Sequence, residues 1–101
     1  MSPESLVRLH VILEGRVQGV GFREFVFRNA LDLDLTGWVR NVHNGNVEVL
    51  AEGNNHTLET LLDFLKQGPN AASVTALQQD WSAATGEFPT FIVARTLCSN
   101  E

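Results

Sequence analysis

The chain is 101 residues long, 44% hydrophobic and 19% charged, the composition of one globular domain able to bury a single core. Its 7 Lys and Arg against 12 Asp and Glu leave a formal net charge of -5, and the cations are scattered, so the basic footprint of a nucleic-acid or anionic-membrane binder is missing. No apolar run is long enough to span a bilayer, MSPESLVRLH carries no apolar leader, and the single cysteine, Cys98, excludes an internal disulfide or a thiolate metal site. One cytoplasmic domain over residues 1–101 is expected, ordered from about 7 to 95.

Val7, Leu9, Val11 and Leu13 alternate with Arg8, His10 and Glu14, broken only at Ile12, and predict a strand with one face on a core. Gly15, Gly19 and Gly21 then crowd GRVQGVGFR, residues 15–23, before Phe22, Val26, Ala30 and Leu33 recur at helical spacing beside Phe25. Residues 36–42 (TGWVRNV) and 46–52 (NVEVLAE) flank His43-Asn44-Gly45, where Asn-Gly predicts a tight antiparallel hairpin of type I′. Asn54 or Asn55 caps a second helix with a stripe of Leu58, Leu61, Leu62 and Leu65, closed by Gly68-Pro69. Two weaker strand-like segments, residues 74–81 and 91–95, are separated by a turn with Gly86 and Pro89; either they form one hairpin or the first is irregular. The order β-α-β-β-α-β is the split pattern of an α+β, ferredoxin-like sandwich with two helices on one face of an antiparallel sheet. Many functions share that fold, so the site has to decide between them.

Residues 15–21 join the first strand to the first helix, where backbone N–H groups are free. Glycines admit positive φ and let successive N–H groups turn toward a common point, and the helix start adds unpaired donors and the positive end of its dipole. Arg23, in the first helical turn, runs against that dipole by roughly 0.3–1 kcal/mol at an exposed site. A bound anion, best a phosphate, removes the conflict, because guanidinium and backbone donors then converge on the same oxygens. On spacing alone this reading stands level with its plain rival, a tight turn followed by a solvated arginine. Neither a Gly-Lys-Ser/Thr P-loop nor a dinucleotide fingerprint is present, so no nucleotide is implied.

With GRVQGVGFR at 15–23, TGWVRNVHNGNVEV at 36–49 and Gly-Pro at 68–69, the sequence resembles the acylphosphatase family over most of its length. That family hydrolyses the carboxyl-phosphate bond of acyl phosphates to carboxylate and inorganic phosphate. The resemblance implies a ferredoxin-like fold and a phosphate cradle formed by Gly15, Arg16, Val17, Gln18, Gly19, Val20 and Gly21. It also implies that Arg23 binds phosphate, that Asn41 orients the attacking water, that the substrate phosphate takes up the water proton, and that no metal or cofactor is needed. Strand position alone reads Asn41 otherwise: on the parity of Val39 it points to the helix-covered side, where a backbone partner would satisfy it. The resemblance reverses that preference. A carboxylate leaves readily, so positioning water and neutralising phosphoryl charge suffice as machinery.

Several positions depart from the family pattern or lie outside it. Asn44 stands where an aspartate is usual, a change the turn tolerates, and Asp34 replaces a glycine after the first helix, at a predicted strain of about 1 kcal/mol. Ser73 stands where relatives often carry arginine, and the tail TLCSNE is expected to fray. His10, His43 and His56 lack metal-ligand spacing, Trp38 and Trp81 read as sheet residues, and Phe22, Phe25 and Phe27 read as anchors of the first helix. Glu48 and Glu52, of one strand parity, are expected on a solvent face, while Arg16 and Gln18 either touch the anion or face solvent.

Two other functions compete. One is a non-catalytic phosphate or acyl-phosphate sensing domain on the same fold. The other, an RNA-binding domain, would need exposed aromatics on the central strands, where Arg8, His10, Ile12, Glu48, Leu50 and Glu52 offer no stacking platform. The expected partners are a small-molecule acyl phosphate and inorganic phosphate, with no nucleic acid and no membrane, and the small size favours a monomer.

Overall fold

The computed structural model describes residues 6–98, in the order β1 (Leu6–Arg16), α1 (Phe22–Asp32), β2 (Thr36–Asn41), β3 (Val47–Asn54), α2 (Asn55–Gln67), β4 (Ser73–Ala83) and β5 (Phe91–Val93). The period-two pattern is realised in β1, where Leu9, Val11 and Leu13 are buried and Arg8, His10 and Ile12 take the opposite face. Phe22, Val26 and Ala30 of α1 and Leu58, Leu61, Leu62 and Leu65 of α2 close over the buried face, so the core lies between two helices and a sheet. Asn54 caps α2, its Oδ1 accepting from Thr57 N–H at 2.9 Å, and Gly68 N–H closes the helix on Phe64 O at 2.8 Å.

The sheet runs β4-β1-β3-β2-β5. β1 to β4 pair antiparallel in the ferredoxin-like arrangement, and β4 is regular over 11 residues apart from a register shift opposite Glu14 and Gly15. Neither alternative for the last two strand-like segments holds, since the first is a full strand and the two do not pair as a hairpin. β5 crosses to the far edge and pairs parallel with β2, Val93 opposite Val39, which makes the sheet mixed.

A buried carboxylate binds the segment that makes the crossing. Glu52, expected to face solvent, is 4% exposed. It accepts from Arg8 Nε at 2.8 Å, from Thr85 N–H and Gly86 N–H at 3.0 Å each, and from Thr85 Oγ1 at 3.1 Å. The segment between β4 and β5 is thereby bound to the outer face of the sheet, and Phe91 reaches a buried place beside β2. Burial alone would raise the Glu52 carboxyl, but the Thr85 and Gly86 N–H groups and Arg8 hold it below its ordinary value. Glu48 is likewise opposed by burial and held below its ordinary value by His10 Nε2 at 2.6 Å and Arg40 Nε at 2.8 Å. Arg40 also stacks 4.3 Å over the Trp38 ring, so ion pairs occupy much of the outer face.

Two local expectations change as well. Gly45 N–H donates to Val42 O and Val42 N–H to Asn46 O, both at 2.9 Å, framing a three-residue loop between β2 and β3. Gly45 has φ 100°, while Asp34 (φ 58°) is the one non-glycine with positive φ among the described residues, so the turn is a glycine-bulge form and not type I′. The tail does not fray where it is described. Ala94 N–H donates to Val39 O at 2.8 Å, Leu97 N–H to Asn41 O at 2.9 Å and His43 N–H to Leu97 O at 3.0 Å, and residues 99–101 lie outside the described part.

Candidate functional site

Strand direction assembles the site. β1 and β2 both run antiparallel to β3 and β5 runs parallel to β2, so the C-terminal ends of β1, β2 and β5 share one edge of the sheet. Leu13, Val47 and Asn41 form one cross-strand row there. Leu13 and Val47 are fully buried under the helices, so Asn41 points to the same side. Just beyond Leu13 the chain turns through residues 17–21 into α1, and a cleft of about 300 Å³ opens between this loop and the end of β2. Its walls are Val17, Gly19 and Gly21 from the loop, Phe22, Arg23 and Glu24 from the first turn of α1, and Asn41 and Val93 opposite.

The loop is conformationally suited to hold an anion. Gly19 and Gly21 have φ of 73° and 79°, a region that side chains rarely adopt, and open space surrounds the place where a Cβ would stand. Gly21 caps α1 without a side-chain hydrogen bond, and the helix ladder begins with Phe25 N–H to Gly21 O at 3.0 Å. Among the described residues, no backbone N–H from 18 to 24 donates to a protein acceptor. A run of unpaired donors therefore borders the cleft, beside the positive end of the α1 dipole. Arg23 is half-buried at the same place, and its guanidinium has no ion-pair partner among the described residues. Phe22, 1% exposed, packs edge-on against Phe25 at 6.0 Å and so anchors the turn that carries it.

Asn41 supplies the complementary anomaly. Its Oδ1 is the buried side-chain oxygen without a hydrogen-bond partner among the described residues. The backbone partner that strand position suggested is absent, although the Asn41 carbonyl is itself satisfied by Leu97 N–H. An unsatisfied buried acceptor costs about 1–3 kcal/mol, so such a group calls for a partner that arrives from outside the protein.

The sequence-predicted residues fall into two sets. Val17, Gly19, Gly21, Arg23 and Asn41 come together around the cleft. Gly15 and Arg16 end β1 and do not line it; a Cβ on Gly15 (φ 122°) would overlap the Ser73 carbonyl oxygen and stand 2.9 Å from Thr75 N, so this glycine answers to β4. Val20 packs partly against the core. Gln18 neither faces solvent nor lines the cleft: its Nε2 donates to Val42 O and Asn46 O, both at 2.8 Å. Ser73 is exposed opposite Arg16, away from the cleft. Three lining residues lay outside the predicted site: Phe22, expected only as a helix anchor, Glu24 and Val93. Glu24, adjacent to Arg23, could have been found by its neighbour; it is turned to Arg28 at 2.7 Å. Val93, 42% exposed, depends on the crossing of β5, which no local signal announces. Among the described residues no three His, Cys, Asp or Glu side chains gather as metal ligands, and no helix is long and apolar enough to cross a membrane.

Known proteins resemble this chain in sequence and in fold. The acylphosphatase family model matches residues 9–93, which takes in both sides of the cleft. The chain is 48% identical over 88 residues to an acylphosphatase of Methylococcus capsulatus, covering 87% of this chain and 96% of that one. It is 47% identical over 88 residues to one from Salinibacter ruber, covering 87% and 93%. The crystal structure of acylphosphatase from Bacillus subtilis superposes with a TM-score of 0.84 at 36% identity, covering 87% of this chain and 98% of that one. With the match running through loop, first helix and hairpin alike, and through nearly the whole length of these relatives, the chain belongs to the acylphosphatase family.

Proposed function

We propose that the cleft carries out the family's reaction, hydrolysis of an acyl phosphate to carboxylate and inorganic phosphate, with the phosphoryl group held by the 15–21 loop and Arg23 and the attacking water held by Asn41. Within the loop, the N–H groups around Gly19 and Gly21 and those of the first turn of α1 receive the phosphoryl oxygens, and Arg23 closes on them bidentately. Asn41 Oδ1 accepts from the water and turns a lone pair toward phosphorus. The water oxygen bonds to phosphorus as the bond from phosphorus to the carboxyl oxygen breaks. The electron pair leaves on the carboxylate, and the water proton passes to a phosphoryl oxygen. An amide suits this role because it is neutral and does not compete with phosphate for the arginine.

One observation carries the reading: a buried amide oxygen stands across one cleft from a run of N–H donors and a guanidinium, all without protein partners among the described residues. The partner is a small acyl phosphate taken up by a monomeric domain in the cytoplasm, without nucleic acid or membrane, a reading supported by the net charge of -5 and the ion-paired outer face. Loss of benzoyl phosphate, followed by ultraviolet absorbance with metal-free protein, tests it. Hydrolysis that disappears in Arg23→Ala is the expected result. Calorimetric binding of phosphate with no hydrolysis of any acyl phosphate would instead mark a sensing domain.

A further inference from the structure

The proposed mechanism needs two parts that come from different places in the chain, the donor loop after β1 and the amide at the end of β2, to stay in register to a fraction of an ångström. The loop has little of its own to fix it there. Among the described residues no N–H from 18 to 24 is bonded to a protein acceptor, and the space where a Cβ would stand on Gly19 or Gly21 is open. Val17, 1% exposed, roots the base of the loop in the core. Across to the hairpin there is a single tie: among the described residues, the only hydrogen bonds between the 17–21 loop and the β2–β3 connection are the two that Gln18 Nε2 donates to Val42 O and Asn46 O.

Those two carbonyls bracket the hairpin that begins one residue after Asn41. Each already has a backbone donor: Val42 O accepts from Gly45 N–H and Asn46 O from Val42 N–H. Removing the Gln18 amide therefore orphans neither acceptor, and the hairpin closes without it. The opposite edge of the same strand end is held by Leu97 N–H on Asn41 O and His43 N–H on Leu97 O. Asn41 is thus bonded to the tail on one side and to the sheet through its pairing with Val47, and on the other side Gln18 supplies the direct hydrogen-bond link, among the described residues, between its strand end and the loop. Both N–H groups of one amide are spent on a link that the hairpin's folding does not require.

We propose that Gln18 is a positioning residue for the hydrolysis, setting the distance between the phosphate cradle and the Asn41 amide and thereby the line of attack of the water. The inference rests on Asn41 as the water-holding group. It separates two quantities: phosphate affinity belongs to the loop donors and Arg23, whereas Gln18 acts on turnover.

The test uses purified full-length chain. Gln18→Met keeps the side-chain length and removes both donors. Its kcat on benzoyl phosphate should fall about 10- to 100-fold, the scale of a misplaced reacting group, while KM and the calorimetric Kd for inorganic phosphate stay within about threefold. In an Asn41→Ala background the same substitution should change kcat by less than about twofold, because a water no longer held cannot be further misplaced. Wild-type kcat in folded Gln18→Met, a loss carried by phosphate affinity, or an undiminished effect in the Asn41→Ala background would each overturn the proposal. Wild-type turnover in Asn41→Ala alone would instead remove the reading it rests on. Should Gln18→Met fail to fold, Gln18→Glu supplies the answer: protonated, its carboxyl can donate to one carbonyl, and ionised it donates to neither. Its kcat relative to the parent protein should rise as pH falls through the carboxyl range, and a ratio independent of pH would overturn the proposal.

Discussion

Arg23→Ala should separate the empty and phosphate-bound states in opposite directions. Arg23 is half-buried, without an ion pair among the described residues, in the first turn of a helix capped by a bare glycine. Removing a cation from that position relieves about 0.3–1 kcal/mol of dipole conflict, against which lost packing of its aliphatic stem must be set. The unliganded variant should therefore melt at or slightly above the parent temperature. With phosphate present, the variant loses charge-assisted hydrogen bonds worth about 1.5–3 kcal/mol, which is a roughly 10- to 150-fold weaker Kd. At a phosphate concentration about tenfold above the parent Kd, binding stabilises the parent by about 1.4 kcal/mol, or roughly 6–11 °C for a domain of this size. The variant at the same concentration should gain no more than about 0.4 kcal/mol, roughly 3 °C or less. Thermal melts followed by circular dichroism, with and without phosphate and at constant ionic strength, measure both quantities. Equal phosphate-induced shifts in the two proteins, or an empty variant destabilised by more than about 1 kcal/mol, would refute the assignment and leave Arg23 a structural residue.

Asn41→Ala should lower benzoyl phosphate turnover by about 10²–10³-fold with a smaller change in phosphate affinity, and because its Oδ1 has no partner, the melting temperature should not fall as it would for a bonded buried amide; steady-state kinetics beside a melt tests both halves. Gly15→Ala should destabilise by about 3 kcal/mol or more through its overlap with the Ser73 carbonyl, whereas Gly19→Ala, in open space, should lose only about 1–2 kcal/mol for the left-handed backbone, and denaturant unfolding should rank them in that order. Glu48 and Glu52 titrate lower in the folded protein than their ordinary value, so their stabilisation is complete above the unfolded carboxylate value of about 4.3 and is lost as pH falls through the lowered folded values. Melting temperatures should accordingly decline in acid, and Glu52→Gln, destabilised at pH 7, should converge on the parent as the pH falls; a gap constant down to about pH 2 would contradict the buried-carboxylate account.

Much of the fold was legible because it depends on short-range rules. Alternation placed β1, helical spacing placed α1 and α2, Gly68 and the pair Asn54-Asn55 marked the ends of α2 with the choice of Asn54 left to the structure, and the parity of Val39 correctly aimed Asn41 at the helix side. The hairpin was legible in place but not in type, since Asn-Gly announces a turn and the number of loop residues is decided by which carbonyls pair across it. Glu52 shows the limit from the other side. Its parity named the face correctly, but parity carries no information about what covers that face, and residues 85 and 86, more than thirty positions further along, buried it.

By itself, then, the sequence determined the elements, the donor-rich glycine loop with its unfavourable arginine, and, through two motif blocks, the family. Only the tertiary structure decided that β5 lies against β2, that the Asn41 side-chain oxygen lacks the expected backbone partner among the described residues, and that Gln18 ties the 17–21 loop to the hairpin. The physical reason is the range of the interactions. Side-chain periodicity and caps act over one or two turns of backbone, whereas the hydrogen bonds that complete the site join residues 24, 28 and 56 positions apart (42 − 18, 46 − 18 and 97 − 41), and those partners meet only once the sheet has set its strand order.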